Sequence, residues 1–416
     1  MNCELFIASR LRLEGSDKGR SPSLIIALVA MSLALVVMIL AIVVTTGFKR
    51  AIEGKIYHLE PHVAISDANL TINGDSALLV TAEVRRVLDG LPNVAAAAGW
   101  LEKPVMLKTG DDFEVLQLRG LDTADIASYI GPYLLADGDT VPCAATSWLL
   151  VAADTTHVLI SRVTATKLGL KVGDRVMAYF VGERIKARRL TIGGIFDTQF
   201  DSFDRNIIVA DGELLRRALD IPDGLATRVA VTLNDPANES TPYEVYAALS
   251  SHLAGDRQFE VMPVAAAQGS FFAWLSMLDM NVAVIIVLML IVSGFTLISS
   301  LLMIVLRRIP VIGLLKALGA TNRSVRLTFI LLTHKLILLA MLIGNGAGIA
   351  LALVQQHWHI VKLDPTAYYM SSVPIAIDVR ALLLLNLGYL IVSALTLIIP
   401  SLIISTIKPS TTMRFE

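Results

Sequence analysis

Three stretches of this chain, Ser21–Phe48, Met280–Leu306 and Ala381–Ile407, carry no charged residue at all. A fourth, Leu327–Gln356, contains only His334 and Lys335, near its start. Each is longer than the roughly 20 apolar residues that an α-helix needs to cross a hydrocarbon core about 30 Å thick. Helices buried in soluble proteins are rarely so long and so free of charge, and the pattern predicts four membrane spans. It also explains why only 17% of the 416 residues are charged, where a soluble domain carries about 25%. The first run far exceeds the apolar core of a secretory signal and no small-residue cleavage pattern follows it, which predicts an uncleaved span.

Positive residues set the expected orientation. Arg10, Arg12, Lys18 and Arg20 precede the first run, and Lys408 and Arg414 follow the last. Five more cations and no acid lie in Arg307–Arg326, between the second and third runs. The Gln356–Arg380 link instead balances Lys362 and Arg380 against Asp364 and Asp378. Both termini and 307–326 are therefore expected in the cytoplasm. The expected layout is a lead-in at 1–20, a span at 21–48, an outer α+β domain at 49–270 and a span at 274–306. The loop 307–326, a span at 327–356, an outer loop at 357–380, a span at 381–407 and a tail at 408–416 complete it.

Within the outer segment, strand-like runs occur at 62–66, 105–109, 114–120, 157–161, 175–181, 205–210 and 228–233. Helix-like runs occur at 81–91, 162–170, 212–219 and 242–253, and Lys171–Asp174 (KVGD) reads as a turn between a helix and a strand. The Gly/Pro-rich stretch near 131–156 marks a possible subdomain boundary. After Pro263 a helical pattern leads into the second span. Cys3 and Cys143 fall on opposite sides of the membrane in this topology, so no intramolecular disulfide is expected. The net charge of −1 gives no sign of nucleic-acid binding.

The stretch RRIPVIGLLKALGATNRSVR (307–326) carries the chemistry. Pro310 suits a first helical turn, and Gly319 sits where a C-terminal cap belongs. Val311, Leu314, Leu315 and Leu318 recur at i, i+3, i+4 and i+7, one apolar stripe on a short interfacial helix. Two readings fit it: a basic connector snorkelling to headgroups, or a docking helix for a cytoplasmic protein. No G-x-x-x-x-G-K-[ST] phosphate loop occurs anywhere, so nothing in the chain is expected to cradle nucleotide phosphates.

These residues resemble a known family. IGLLKALGATNRSVR (312–326) resembles the cytoplasmic loop of the FtsX/MacB-like permeases of ABC transporters. ELFIASRLR (4–12), GFKRAIEGKI (47–56), LVQQHWHIVKLDPTAYYMSSVPI (353–375) and IKPSTTMRFE (407–416) are similar to segments of the lipoprotein-releasing branch, the LolC/LolE type. The resemblance implies a membrane protein with four transmembrane α-helices and a large α+β periplasmic domain between the first and second. It implies a permease subunit of an ATP-driven transporter that extracts lipoproteins from the inner membrane and passes them to a periplasmic carrier. FtsX-like signalling to cell-wall hydrolases and MacB-like efflux are the alternatives. The expected partners are two copies of a cytoplasmic ATPase that holds the ATP and Mg, a second permease copy in a homodimer or heterodimer, lipoproteins and membrane lipid. The implied location is the inner membrane of a Gram-negative bacterium.

By the same resemblance, Ile312, Leu315, Lys316, Leu318 and Gly319 would contact the ATPase. Met31, Leu35, Met38, Ile285, Met289 and Val292 are candidates for lining a lipid cavity, although such residues also suit a plain core. Arg184, Lys186, Arg188 and Arg189, in the hairpin around 178–196, are candidates for carrier contact or a solvated turn. No catalytic residue, cofactor or metal is expected. His357 and His359 beside Asp364 have the composition of a metal site, but two histidines two apart on a loop are seldom ligands. Gly344, Gly346 and Gly348 suit close helix packing.

Overall fold

The computed structural model describes residues 22–67, 79–110, 112–135, 156–180, 185–252 and 259–398. They form two compact units. One comprises the membrane-sized helices with the 307–326 link, and the other is Ile52–Phe272 together with Leu363–Ser371. In chain order, the elements that matter are helix α1 (Pro22–Leu59), strands β1 (Val63–Asp67) and β2 (Leu79–Val80), and α2 (Thr81–Leu88). Next come β3 (Val94–Thr109), β4 (Asp112–Leu121), β5 (His157–Ser161), α3 (Arg162–Leu168), β6 (Arg175–Phe180) and β7 (Lys186–Phe196). Then follow β8 (Ile207–Asp211), α4 (Gly212–Leu219), β9 (Leu225–Ala226), β10 (Arg228–Leu233), α5 (Thr241–His252) and β11 (Phe259–Pro263). The chain continues through α6 (Gly269–Arg307), α7 (Ile309–Ala317), α8 (Asn322–Trp358) and α9 (Val379–Thr396).

Helices α1, α6, α8 and α9 are each long and apolar enough to cross a membrane. Their shared core contains Leu35, Met38, Ile39, Leu297, Leu301, Phe329, Ile337 and Tyr389. Small residues allow the closest approach. A Cβ on Gly344 would lie 3.0 Å from Leu35 and from the Ser32 carbonyl, and one on Gly348 would lie 3.2 Å from Ile39. Gly346 faces open space. Polar side chains add joints where hydrocarbon offers no alternative partner. The Asn345 amide donates to Asn386 at 2.7 Å and Asn386 donates back at 2.9 Å, tying α8 to α9. Ser293 and Tyr389 hydrogen-bond at 2.6 Å, tying α6 to α9. The first expected span is longer than its charge-free run, because α1 continues through Lys49–His58 to Leu59. Lys49 pairs with Asp279 at 2.7 Å and Arg50 with Asp378 at 3.3 Å. Residues 399–416, which hold the end of the fourth expected span and the whole of the expected tail, lie outside those described, as does the expected lead-in at 1–20.

The second unit is built around β3, which serves two lobes. Its first half pairs with β10 in the antiparallel sheet β11-β1-β10-β3, covered by α2 and α5 over Val63, Ile65, Val84, Val231, Val245 and Leu249. Its second half pairs with both β4 and β6. Since β4-β8-β5-β7-β6 are joined in turn, β3-β4-β8-β5-β7-β6 closes into a six-stranded barrel. Closure removes free edges. Alternate residues such as Val105, Leu107, Leu116, Leu118, Val176, Ala178 and Phe180 fill its interior, with Leu168 and Leu215 from α3 and α4. Because β3 is shared, neither lobe is continuous in sequence. The possible boundary near 131–156 falls largely on residues 136–155, outside those described.

One buried side chain organises the joint between these lobes. The Arg119 guanidinium donates to Glu102 at 2.6 Å, Glu60 at 3.1 Å, the Leu59 carbonyl at 2.9 Å and the Tyr129 hydroxyl at 2.5 Å. It also stacks 4.6 Å above the Trp100 ring. Arg119 thereby caps the C-terminus of α1 and crosses from β4 to β3. Burial pushes the Glu102 carboxyl up, but Arg119 and Arg228 beside it hold it below the usual carboxylate range.

A second cluster gathers four distant segments. Lys55 of α1 donates to the Thr198 carbonyl at 3.0 Å and to the Tyr369 carbonyl at 2.5 Å. The rings of Phe200, Phe271 and Tyr369 meet with centroids 5.0–5.9 Å apart. Asp204 holds the loop that supplies Thr198 and Phe200 by accepting from the Thr198 hydroxyl at 2.7 Å. Burial pushes its carboxyl up to about 6. A folded value above the ordinary 3.8 means that the native chain takes up a proton here before the unfolded chain does. Ionised Asp204 therefore costs stability at neutral pH, and that cost fades as pH falls through about 6. Asp204→Asn should stabilise by up to about 3 kcal/mol at pH 7.5, with the difference closing by about pH 4. Thermal unfolding of both forms across this range checks it; a wild-type-to-variant gap that does not change with pH contradicts it.

Candidate coupling helix and exposed membrane face

The link between α6 and α8 folds as the stop signals in its sequence require. Arg308, at φ −110°, breaks the helix before α7, and Pro310 occupies the first turn of α7. Its fixed φ and missing N–H cost nothing there. At the other end Gly319 turns left-handed at φ +94°. This lets Ala320 N donate to the Leu315 carbonyl at 2.9 Å and Gly319 N to the Lys316 carbonyl at 3.1 Å. A residue with a Cβ would be strained in that conformation. Thr321 then starts α8 by accepting from Ser324 N at 3.3 Å.

The helix has two apolar faces with different fates. Ile312 is fully buried, in one cluster with Ile304, Val305, Val325 and Phe329, and Leu315 packs against its edge. Leu314 and Leu318 stand 59% and 76% exposed, on a link that holds five cations and no acid. Lys316 is half-buried, and desolvation lowers its pKa from the usual lysine value. Of the five residues expected at a partner surface, Leu318 and Gly319 are open, and Leu315 and Lys316 are partly so. Ile312 lies in the chain's own core, and Leu314, outside those five, stands on the open face. An apolar residue on nearly every side of α7 leaves periodicity unable to say which side the bundle claims.

The six cavity candidates separate by helix. Met31, Leu35 and Met38 of α1 are fully buried inside the bundle, where they pack as core. On α6, Ile285 and Val292 are exposed, and Met289 is partly buried. Helix α6 presents Met277, Met280, Val284, Val287, Leu288 and Ile291 to its surroundings as well. Beside them, α6 and α9 border a groove of about 310 Å³ lined by Leu290, Ile291, Gly294, Phe295, Ile298 and Val392. The sequence reading missed this groove. Gly294 in an apolar helix was the only local sign of it.

Among the carrier candidates, Arg184 lies outside the described residues. Lys186 is paired with Asp220 at 2.7 Å, and Arg188 and Arg189 are exposed on β7. The strand register sets Arg189 beside Met177, then Lys108 and Phe113, on the outer face of the barrel. The neighbouring row is Ala187, Tyr179, Met106 and Val115. Phe113 and Val115 are more than half exposed. His357 is exposed, and His359 closes α8 in a left-handed conformation.

Comparison with known proteins finds relatives along most of the chain. The chain is 21% identical over 410 residues to the lipoprotein-releasing system transmembrane protein LolC of Xylella fastidiosa strain 9a5c, covering 94% of this chain and 93% of the relative. It is 21% identical over 415 residues to the protein of that name from Neisseria meningitidis serogroup B, covering 94% of each. Among solved structures, the periplasmic region of MacB from Actinobacillus actinomycetemcomitans is 11% identical and covers 52% of this chain and 95% of its own, with a TM-score of 0.34. The extracellular domain of the transporter YknZ from Gram-positive bacteria is 12% identical and covers 48% and 98%, with a TM-score of 0.32. Residues 24–241 match the model of the MacB-like periplasmic core domain, and residues 283–409 match that of the FtsX-like permease C-terminal region. With the first match covering more than half of the chain and the second most of the remainder, the protein belongs to the FtsX/MacB-like family of ABC-transporter permeases.

Proposed function

We propose that this permease releases lipoproteins from the inner membrane of a Gram-negative bacterium, powered by a separate ATPase that docks on α7. The observation that carries this reading is likeness to LolC-named relatives across 94% of the chain. The exposed Leu314 and Leu318 on a rigidly capped helix support the docking step. With no phosphate loop in the sequence, ATP and Mg belong to the partner, present in two copies beneath a pair of permeases.

The physical task matches the exposed face of α6. Each acyl methylene costs about 0.8 kcal/mol to move from lipid into water, so a chain must travel along apolar surface. Ile285, Met289 and Val292, with the groove beside them, supply such a surface; Met31, Leu35 and Met38 back it from within the bundle. Arg189, beside the apolar barrel face, and exposed Arg188 are the contact offered to a periplasmic carrier, with Lys186 and Arg184 close to them in sequence. Both termini are cytoplasmic in this arrangement. Conditional depletion tests the proposal: lipoproteins bound for the outer membrane should accumulate in the inner membrane. Normal lipoprotein sorting combined with failed cell-wall cleavage would replace release with FtsX-like signalling.

A further inference from the structure

Past the end of α8 the chain does something that water does not reward. Between Leu336 and Val361 there is no Asp, Glu, Lys or Arg, and the run continues beyond the helix into the following turn. Leu336–Val354 spans about 28 Å as a helix, enough to cross the hydrocarbon. A span drawn over this charge-free stretch puts Gln355 at the hydrocarbon boundary and Trp358–Val361 just beyond it. In this turn Trp358, Ile360 and Val361 are 65%, 65% and 54% exposed, three large apolar side chains within four residues, with exposed His359 among them.

Part of the backbone beneath them, at Val361, Val373 and His359, is bonded within the chain. The Gln355 side chain accepts from Val361 N at 2.9 Å and donates to the Val361 carbonyl at 3.2 Å. The same amide donates to the Val373 carbonyl at 3.3 Å, and Val373 N donates to the Val361 carbonyl at 3.2 Å. His359 N bonds back to the Gln355 carbonyl, and a left-handed φ of +47° at His359 turns the chain there. A loop displayed to water needs no such arrangement, because water satisfies its peptide groups. A loop entering a low-dielectric boundary requires it. Tryptophan favours that boundary, and Lys362 immediately afterwards suits the headgroup layer.

From this we infer that Trp358, Ile360 and Val361 form a lipid-seated wedge, inserted among the lipids of the leaflet where α8 emerges. The occupant of this apolar surface is lipid rather than protein. The wedge fixes the height of the α8–α9 link in the bilayer, with its side chains about 5–10 Å into the headgroup boundary. The inference requires only that α8 crosses the membrane; it holds whether or not the cargo is a lipoprotein.

The test places a nitroxide label on Ile360→Cys in a Cys3→Ser/Cys143→Ser background. The full chain is reconstituted into phosphatidylethanolamine–phosphatidylglycerol vesicles, and a second label on exposed Asn238→Cys serves as the reference. Oxygen should relax the label at 360 several-fold more effectively than a water-soluble nickel chelate, with the opposite order at 238. Relaxation dominated by the chelate at 360 overturns the wedge, because the turn then lies in water. Exclusion of both reagents also overturns it, because the face is then covered by protein.

Discussion

Arg119→Met should lower the melting temperature of the outer domain by about 8–15 °C, corresponding to a loss of about 3–5 kcal/mol. Methionine fills much of the arginine volume but leaves Glu102, Glu60, the Tyr129 hydroxyl and the Leu59 carbonyl without their shared donor. Glu102 retains Arg228 at 3.2 Å, so part of its charge stays compensated. The cost is that of stranding buried acceptors, which exceeds the net value of the intact pair. It follows that Arg119→Met/Glu102→Gln should recover a substantial share of the loss. The pH dependence has a definite sign. Glu102 has a folded pKa below its ordinary value, so its contribution is complete at neutral pH. That contribution fades as pH falls below about 4.3 and through the lowered value. Thermal unfolding of the wild type and both variants at pH 7.5 and pH 4 measures this. A single-variant shift under about 2 °C at neutral pH would show that the site is hydrated rather than dry.

Residues with local causes could be read from the sequence. The strands at 157–161 and 228–233 and the helix at 212–219 appear with the bounds that their alternation and capping residues imply. Lys171–Asp174 turns through Gly173 at φ +89°, and the Asp174 carboxylate accepts from Lys171 N at 2.7 Å. The hard stops of α7 were legible for the same reason. What escaped depends on partners far along the chain. Val94–Trp100 (VAAAAGW) has the alanine content of a helix, and it is extended because β10 pairs along it. The extension of α1 beyond Phe48 was hidden by its charges, which suggest an end to the membrane but not to the helix. Arg119 meets Glu60, 59 residues away, and Lys186 meets Asp220, 34 residues away. No periodicity encodes such pairs. The cavity candidates show the same limit: methionine and leucine read alike whether they face lipid or a neighbouring helix, and only the packing against α8 assigns Leu35 to the core.

Leu314→Asp/Leu318→Asp should abolish retention of the ATPase by the purified permease while leaving the permease folded. Both side chains project from α7 away from its packed face, so carboxylates there meet solvent and cost the bundle little. At a docking surface the same change removes two apolar anchors and introduces two charges. A buried anchor contributes about 2 kcal/mol or more, so each substitution should weaken the complex about 30-fold and the pair about 1,000-fold. Ile312→Asp is the contrasting variant: it places a charge in the cluster with Phe329 and Val325, and should unfold or aggregate the membrane helices. Titrating the labelled ATPase onto the reconstituted permease, with circular dichroism on the same samples, separates loss of docking from loss of fold. If the double variant binds the ATPase as tightly as wild type, Leu314 and Leu318 are lipid-facing side chains of a basic connector, and the motor engages another surface. If binding falls and lipoprotein release falls with it, α7 is the point at which hydrolysis is converted into movement of this chain.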